Sequence, residues 1–270
     1  MNQVVRWSRP RGWALAFVLC LCARPVGAQS LPPAPSTTNN EVHFMPRAAF
    51  YLWAEKLSGE DESYEWDANF GGDLDVVDYS TGRLTFYANY QVIMGSEFRR
   101  FDPNQGNYIL GGTLSRRRNG YEYAFNFHHE SRHLSDRFNR VAVAWNMAGG
   151  RVSRVIHYGP ARFDVRVDAR VSVAKAFVDY NWEIDSSVRS DVQIRPKVGL
   201  LFAGDVRRLG VDGSQNRSGP IGFRSEAGVH FIGGAGAMEF FLAGEHRIDP
   251  YPLEFGSINF VTVGFRLLTR

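Results

Sequence analysis

The chain has 270 residues, enough for one domain of moderate size and too few for a large multidomain assembly. Its formal charge of +3 comes from the first 28 residues, where Arg6, Arg9, Arg11 and Arg24 stand without an acid; taking those four from 31 basic residues leaves 27 against 28 acidic ones, about −1. That balance gives no support for nucleic-acid binding. Both cysteines, Cys20 and Cys22, lie in the same leading stretch, so no disulfide framework holds the rest of the chain.

Residues 1–28 have the pattern of a secretory signal peptide: a basic start, a short apolar run from Trp13 to Ala23, and small residues at Val26-Gly27-Ala28 for cleavage. No arginine pair marks a twin-arginine route, and neither cysteine follows a small residue as a lipoprotein signal requires. Gln29 to Glu41 is rich in Pro, Ser, Thr and Asn, and residues 29–44 read as a disordered periplasmic lead. Beyond it no run of eighteen apolar residues occurs, so no transmembrane helix is expected. Yet 44% of the chain is hydrophobic, 14% is aromatic, and 27 residues are glycine.

From residue 46 onward the chain alternates at period two. A first strand is expected at about 46–57, with Ala48, Phe50, Leu52 and Ala54 on one face, and a second near 63–74 with Trp66, Ala68, Phe70 and Leu74 in phase. A third, 82–95, sets Leu84, Phe86, Ala88, Tyr90, Val92 and Met94 against Thr85, Tyr87, Asn89 and Gln91. A fourth, 107–118, runs into Asn119-Gly120, whose type I′ turn needs two residues at positive φ. That turn pairs Arg118 with Tyr121, Arg116 with Tyr123, Leu114 with Phe125, Gly112 with Phe127, Leu110 with His129 and Tyr108 with Ser131. Direct partners share a face. Tyr121, Tyr123, Phe125, Phe127, His129 and Ser131 therefore form an aromatic face, and Glu122, Asn126, His128 and Glu130 a polar one. Such a strand suits lipid outside and a wet lumen inside.

The next segment sets Asn139, Val141, Val143, Trp145 and Met147 on one face, expected to be the lipid face. Further on, Phe163, Val165, Val167, Ala169, Val171 and Val173 oppose Asp164, Arg166, Asp168 and Arg170. Val192, Ile194, Pro196, Val198, Leu200 and Phe202 oppose Gln193, Arg195 and Lys197. Ile221, Phe223, Ala227, Val229 and Phe231 oppose Arg224, Glu226 and His230; Met238, Phe240 and Leu242 oppose Glu239 and Glu245; Val261, Val263, Phe265 and Leu267 end the chain. Short turns (NG, AGG, GGAG) would be periplasmic, and long ones (EFRRFDPNQ, SRHLSDR, DVRRLGVDGSQNRSGP, IDPYPLE) extracellular. The fold expected is all-β: an antiparallel transmembrane β-barrel of about twelve strands over residues 45–270, in the outer membrane of a Gram-negative bacterium. Ten or fourteen strands stay open, because strand edges in 149–190 are ambiguous. A soluble sandwich would expose whole aromatic faces to water.

Serine becomes a nucleophile when a base takes its proton and a third group fixes that base. Residues two apart on one strand face lie roughly 7 Å apart, so His129 can reach Ser131. A symmetric hairpin within 132–138 would pair Asn139 with Ser131, diagonal to His129. Ten residues up a strand tilted by about 45° climb roughly 24 Å, which puts the pair at the outer interface.

His129-Glu130-Ser131-Arg132-His133-Leu134-Ser135-Asp136-Arg137 resembles the H-x-S-S-H-L-G-D-E motif of a family of functionally uncharacterised Gram-negative outer-membrane barrels, with Arg132, Ser135 and Arg137 departing. That resemblance implies fold and location but no activity. His129-Glu130-Ser131 with Asn139-Arg140 is also similar to the H-x-S pair of outer-membrane phospholipase A, which has an Asn on the neighbouring strand, and of the lipid A deacylases. This second resemblance implies an acyl-ester hydrolase of membrane lipid, with Ser131 as nucleophile, His129 as base, Asn139 as orienting group, and backbone N–H groups with or without calcium at the oxyanion. No calcium loop is evident, and no cofactor or metal is required by the residues. Implied partners are outer-membrane lipids or lipopolysaccharide and the barrel-assembly machinery; monomer and homodimer both fit.

The alternatives are a non-enzymatic structural barrel or a narrow pore lined by Asp164, Arg166, Asp168, Arg170, Arg195 and Lys197. His133 and Asp136 form an alternative cluster that would order a loop or bond Ser131. His128, His129 and His133 are poor joint metal ligands, since alternation splits the first two between faces. Asp73 and Asp75 read as lumen residues, Gly233 to Gly236 as a tight turn, and Arg207-Arg208 as part of a loop.

Overall fold

The computed structural model describes residues 41–133, 143–251 and 256–269. The signal peptide, most of the lead, Asp136 and Asn139 lie outside them. Twelve antiparallel strands succeed one another: β1 His43–Leu57, β2 Trp66–Asp78, β3 Arg83–Gly95, β4 Asp102–Arg118, β5 Tyr121–His133, β6 Val143–Tyr158, β7 Ala161–Ala176, β8 Tyr180–Arg195, β9 Val198–Val211, β10 Ile221–Ile232, β11 Gly236–Ile248 and β12 Ser257–Thr269. Each pairs with the next, and β1 also pairs with β12, from Tyr51↔Leu268 to Leu57↔Thr262, closing the barrel. Closure leaves no strand edge unpaired, as a sheet in hydrocarbon requires.

The expected alternation holds over most of the wall. Phe50, Phe70, Phe86, Leu114, Phe125, Val171 and Val263 are exposed on the outside. Asp67, Asp168, Glu183, Arg207, Arg224, Glu226, Glu239 and Arg266 are buried within. Asn119 and Gly120 have φ of 52° and 77°, as a type I′ turn needs. All six pairings expected across that turn are present.

Besides the β5–β6 register described below, three features differ from expectation. Ala148-Gly149-Gly150 is no turn but the middle of β6, opposite Phe127, Asn126 and Phe125. A Cβ on Gly149 would collide with the Ala169 carbonyl, so this glycine lets β7 approach closely. Secondly, the apolar run 192–202 is two strands joined by a turn at Pro196-Lys197. A bulge at Ile194, between Gln193↔Gly199 and Arg195↔Val198, restores the parity the turn would break, so the alternation passes through unmarked. Arg195 and Lys197 are therefore exposed at a rim and do not line the lumen. Thirdly, Arg207 and Arg208 belong to β9, not to a loop. Arg207 points inward, its Nε donating to Glu183 at 2.9 Å, and Arg208 lies over the Trp182 ring, 5.8 Å away.

The lumen is filled with paired charges. Arg224 donates to Glu55 at 2.8 Å, Glu245 at 3.1 Å and Glu226 at 3.2 Å. Arg266 joins Glu226 at 3.0 Å to Glu239 at 2.6 Å. Trp53 and Phe241 pack beneath both guanidinium groups at 4.6–5.6 Å. On the opposite wall Arg151 and Asn126 both donate to Asp168 at 2.7 Å, Arg166 reaches the same carboxylate at 3.3 Å, Arg170 bonds Glu183 and Asp185, and Arg162 bonds Asp164 at 3.2 Å. Asp73 and Asp75 also face inward, against Arg47, with Arg83 3.0 Å from Asp75.

Towards the long-loop end two apolar clusters join the polar groups of the lumen. Val143, Trp145, Met147, Val178, Tyr180, Leu209 and Ile248 form one cluster, and Leu57, Tyr64, Ile93, Tyr251 and Phe260 another. Arg217 pins the loops above them by bonds to Asp179 at 2.8 Å and Asp249 at 2.6 Å. At the short-turn end a cavity of about 830 Å³ reaches the rim at Pro160 and Thr269, lined by Arg47, Arg83, Arg189 and Glu239 among others. Removing one partner of a buried ion network leaves uncompensated charge, at a cost of roughly 3–5 kcal/mol. Arg224→Met should therefore lower the urea midpoint for loss of the compact, heat-modifiable band on SDS gels; an unchanged midpoint would show that Glu55, Glu226 and Glu245 are held by other partners.

Candidate active site

β5 carries the candidate residues because its parity is fixed from below by the Asn119-Gly120 turn. Tyr123, Phe125 and Phe127 are exposed to lipid, and His129 and Ser131 continue that face towards the long-loop end. His128, Glu130 and Arg132 are buried in the lumen. His128 shares a hydrogen bond with the Tyr87 hydroxyl at 3.2 Å, with Glu130 3.7 Å away. His128 and His129 are thus on opposite sides of the wall, as alternation requires.

The β5–β6 register differs from the one a symmetric hairpin would give. Ser131 lies opposite Ala144, not Asn139, and His129 lies opposite Asn146. Val143, Trp145 and Met147, expected on the lipid face, point into the lumen, with Trp145 and Met147 at 0% exposure. The physical cause is the apolar closure of the outer lumen: Trp145 meets Tyr180 edge-on at 5.0 Å and carries the Arg132 guanidinium 5.2 Å above its ring. Arg132 in turn donates to Glu130 at 2.8 Å and to the Asp249 carbonyl at 2.7 Å. With Trp145 turned in, Asn146 must turn out.

The result is a hydrogen bond on the lipid face, 2.9 Å from His129 Nδ1 to Asn146 Oδ1. An amide oxygen only accepts, so Nδ1–H donates, and in the neutral ring the lone pair then lies on Nε2. Ser131 stands two residues along the same face, flanked on the β4 side by Tyr108. Tyr108 packs on Tyr90 at 4.8 Å and edge-on against His133 at 5.4 Å. His133 of the alternative cluster thus stands beside an aromatic ring at the rim. The sequence singled out His129 and Ser131 but not Asn146, whose one mark is a polar residue between two alanines, Ala144 and Ala148, on the same face.

Asp191, His230 and Glu239 bring three ligand-type side chains together in the inner cavity. Arg189 already bonds both carboxylates, at 2.6 Å each, and supplies the positive charge an ion would bring.

No family model matches the chain, and no curated protein matches it. Solved structures do. Outer membrane phospholipase A from Escherichia coli matches with a TM-score of 0.51 at 12% identity, covering 84% of this chain and 98% of that one. LpxR from Salmonella typhimurium gives 0.50 at 8%, covering 82% and 99%, and an outer-membrane channel from Pseudomonas putida F1 gives 0.50 at 12%, covering 91% and 99%. At these identities the likeness is one of fold. With the closed twelve-stranded wall and its apolar exterior, it makes this chain an integral β-barrel of the outer membrane.

The His129–Asn146 bond predicts a single imidazole tautomer. In folded protein labelled with ¹⁵N-histidine, His129 should be protonated at Nδ1, and Asn146→Leu should give a tautomer mixture. An unchanged spectrum in that variant would mean another group orients the ring.

Proposed function

We propose that this barrel hydrolyses acyl esters of membrane lipids, with Ser131 as nucleophile, His129 as general base and Asn146, in place of Asn139, as the residue that orients the imidazole. The observation that carries this reading is the 2.9 Å bond from His129 Nδ1 to Asn146 Oδ1, made on the lipid-facing side with Ser131 next along the same face. The resemblance of His129-Glu130-Ser131 to the H-x-S pair of outer-membrane phospholipase A and the lipid A deacylases supports it.

In this mechanism Nε2 takes the Ser131 proton as Oγ attacks the ester carbonyl. The tetrahedral oxyanion is met by backbone N–H groups, with calcium tested as an additional charge. The imidazolium then protonates the departing alcohol, and water releases the fatty acid by the same steps in reverse roles. A neutral amide suits the orienting position, because a carboxylate on the lipid face would carry an added desolvation cost.

The filled outer lumen supports a wall-based rather than a pore-based role. Conductance of the reconstituted protein should accordingly fall well below that of an open porin; wide, ion-selective openings would favour the narrow pore instead.

The direct test is a serine-reactive fluorophosphonate applied to folded protein, with and without calcium. Labelling should map to Ser131, vanish in Ser131→Ala and His129→Ala, and slow by roughly a hundredfold in Asn146→Ala, the scale of a disabled acid–base group. Absence of labelling from a correctly folded barrel under both conditions would remove the hydrolase reading.

A further inference from the structure

The barrel carries a second histidine–asparagine pair on its lipid side. His246 on β11 lies directly opposite Asn259 on β12, and Nδ1 is 2.7 Å from the amide Oδ1. The chemistry repeats that of His129 and Asn146: Nδ1–H donates, Nε2 is left as an acceptor, and the amide N–H₂ of Asn259 keeps its donors for a ligand. Strands β11 and β12 stand six places round the barrel from β5 and β6, on the opposite wall. Both pairs lie near the long-loop ends of their strands. Phe223 on β10, directly opposite His246 on its other side, stacks on the imidazole with centroids 5.3 Å apart and planes 24° from parallel. The ring is thus held from two sides.

Ile248, two residues further along β11, turns inward: it belongs to the lumen cluster with Trp145 and Tyr180. On the outer surface the position that Ser131 fills beside His129 is therefore not taken by the Ile248 side chain beside His246. Ser257, exposed and opposite Ile248, stands at its edge. Here no serine follows the histidine on its own strand, and the hydroxyl comes instead from Ser257 on β12.

The ligand class is set by the donors and acceptors. Asn259 offers amide N–H and Ser257 a hydroxyl, which suit phosphate oxygens. Nε2 offers a lone pair, which suits an ammonium. The cross-strand neighbours of His246 on its other side, Phe223 and then Val206, are apolar, and the outward cation on that side, Arg208, stands one pair further along, opposite Ile221 and over the Trp182 ring. A purely anionic headgroup would find no cation in the trio, whereas an aminoalkyl phosphate carries its own counter-charge. We propose that His246, Asn259 and Ser257 form a second lipid-facing site, on the wall opposite His129, which binds an amine-bearing phosphate headgroup without hydrolysing it. The inference does not depend on hydrolysis at Ser131.

The test uses the full barrel in detergent with a photoreactive phosphatidylethanolamine, run in wild type and in Ser131→Ala so that cleavage cannot consume the probe. Crosslinks should map to β11 and β12 in both proteins. They should fall about tenfold in Asn259→Ala and in His246→Phe, the scale of one lost hydrogen bond to a charged group. Because His246→Phe keeps a ring against Phe223, it separates loss of packing from loss of Nε2. Unlabelled phosphatidylethanolamine should compete and phosphatidylglycerol should not. Equal competition by the two lipids, or unchanged crosslinking in both variants, would overturn the proposal.

Discussion

A strand that separates lipid from a charged lumen must send each side chain to the side opposite its neighbour. A one-residue slip would move every arginine of the lumen into hydrocarbon, where a charge at mid-depth costs several kcal/mol. Here that constraint is enforced by ion pairing within the wall. Arg224 and Arg266 bind carboxylates from β1, β10 and β11, so the register of one strand is read by several others. The lipid-facing chemistry inherits its positions from this network, since outward residues are those the lumen leaves over.

The candidate site shows the inheritance directly. His129 and Ser131 face lipid because Glu130 and Arg132 are held inside. Asn146 faces lipid because Trp145 packs on Tyr180 and beneath Arg132. Arg132 thus ties the inner sides of β5 and β6 together, while the His129–Asn146 bond joins their outer sides. A polar pair at a lipid interface is preorganised by apolar and ionic packing on the far side of a wall one residue thick.

Where sequence reading succeeds and where it does not has one physical origin. The β4–β5 hairpin is legible because a type I′ turn specifies its own register, so Asn119-Gly120 dictates every pairing from Arg118↔Tyr121 to Tyr108↔Ser131. No such signature lies between β5 and β6, and apolarity is the remaining guide to their faces. That guide fails near the long loops, because there the lumen itself holds apolar clusters and Val143, Trp145 and Met147 belong inside. A hydrophobic residue marks the lipid side only where the other side is wet. The turn at Pro196-Lys197 is hidden for a different reason: the Ile194 bulge cancels its change of parity, which carries Arg195 and Lys197 onto a face they do not occupy.

The contrast between the two ends of the lumen has a consequence for which compartment the protein senses. Its long-loop half holds the aromatic and aliphatic clusters together with buried Glu130, Arg132 and Arg207, and its short-turn half opens through the cavity bounded by Pro160 and Thr269. Solvent reaching the guanidinium and carboxylate groups of the cavity enters from the short-turn side. Screening by salt operates over about 8 Å at physiological ionic strength. The cavity's electrostatics are therefore set by ions on the short-turn side, while the His129 and His246 pairs lie on the outer wall near the long loops. One continuous wall is thus coupled to two different media, and a shift in salt or divalent ions on the long-loop side alone would act on the lipid-facing pairs before the cavity's charge balance.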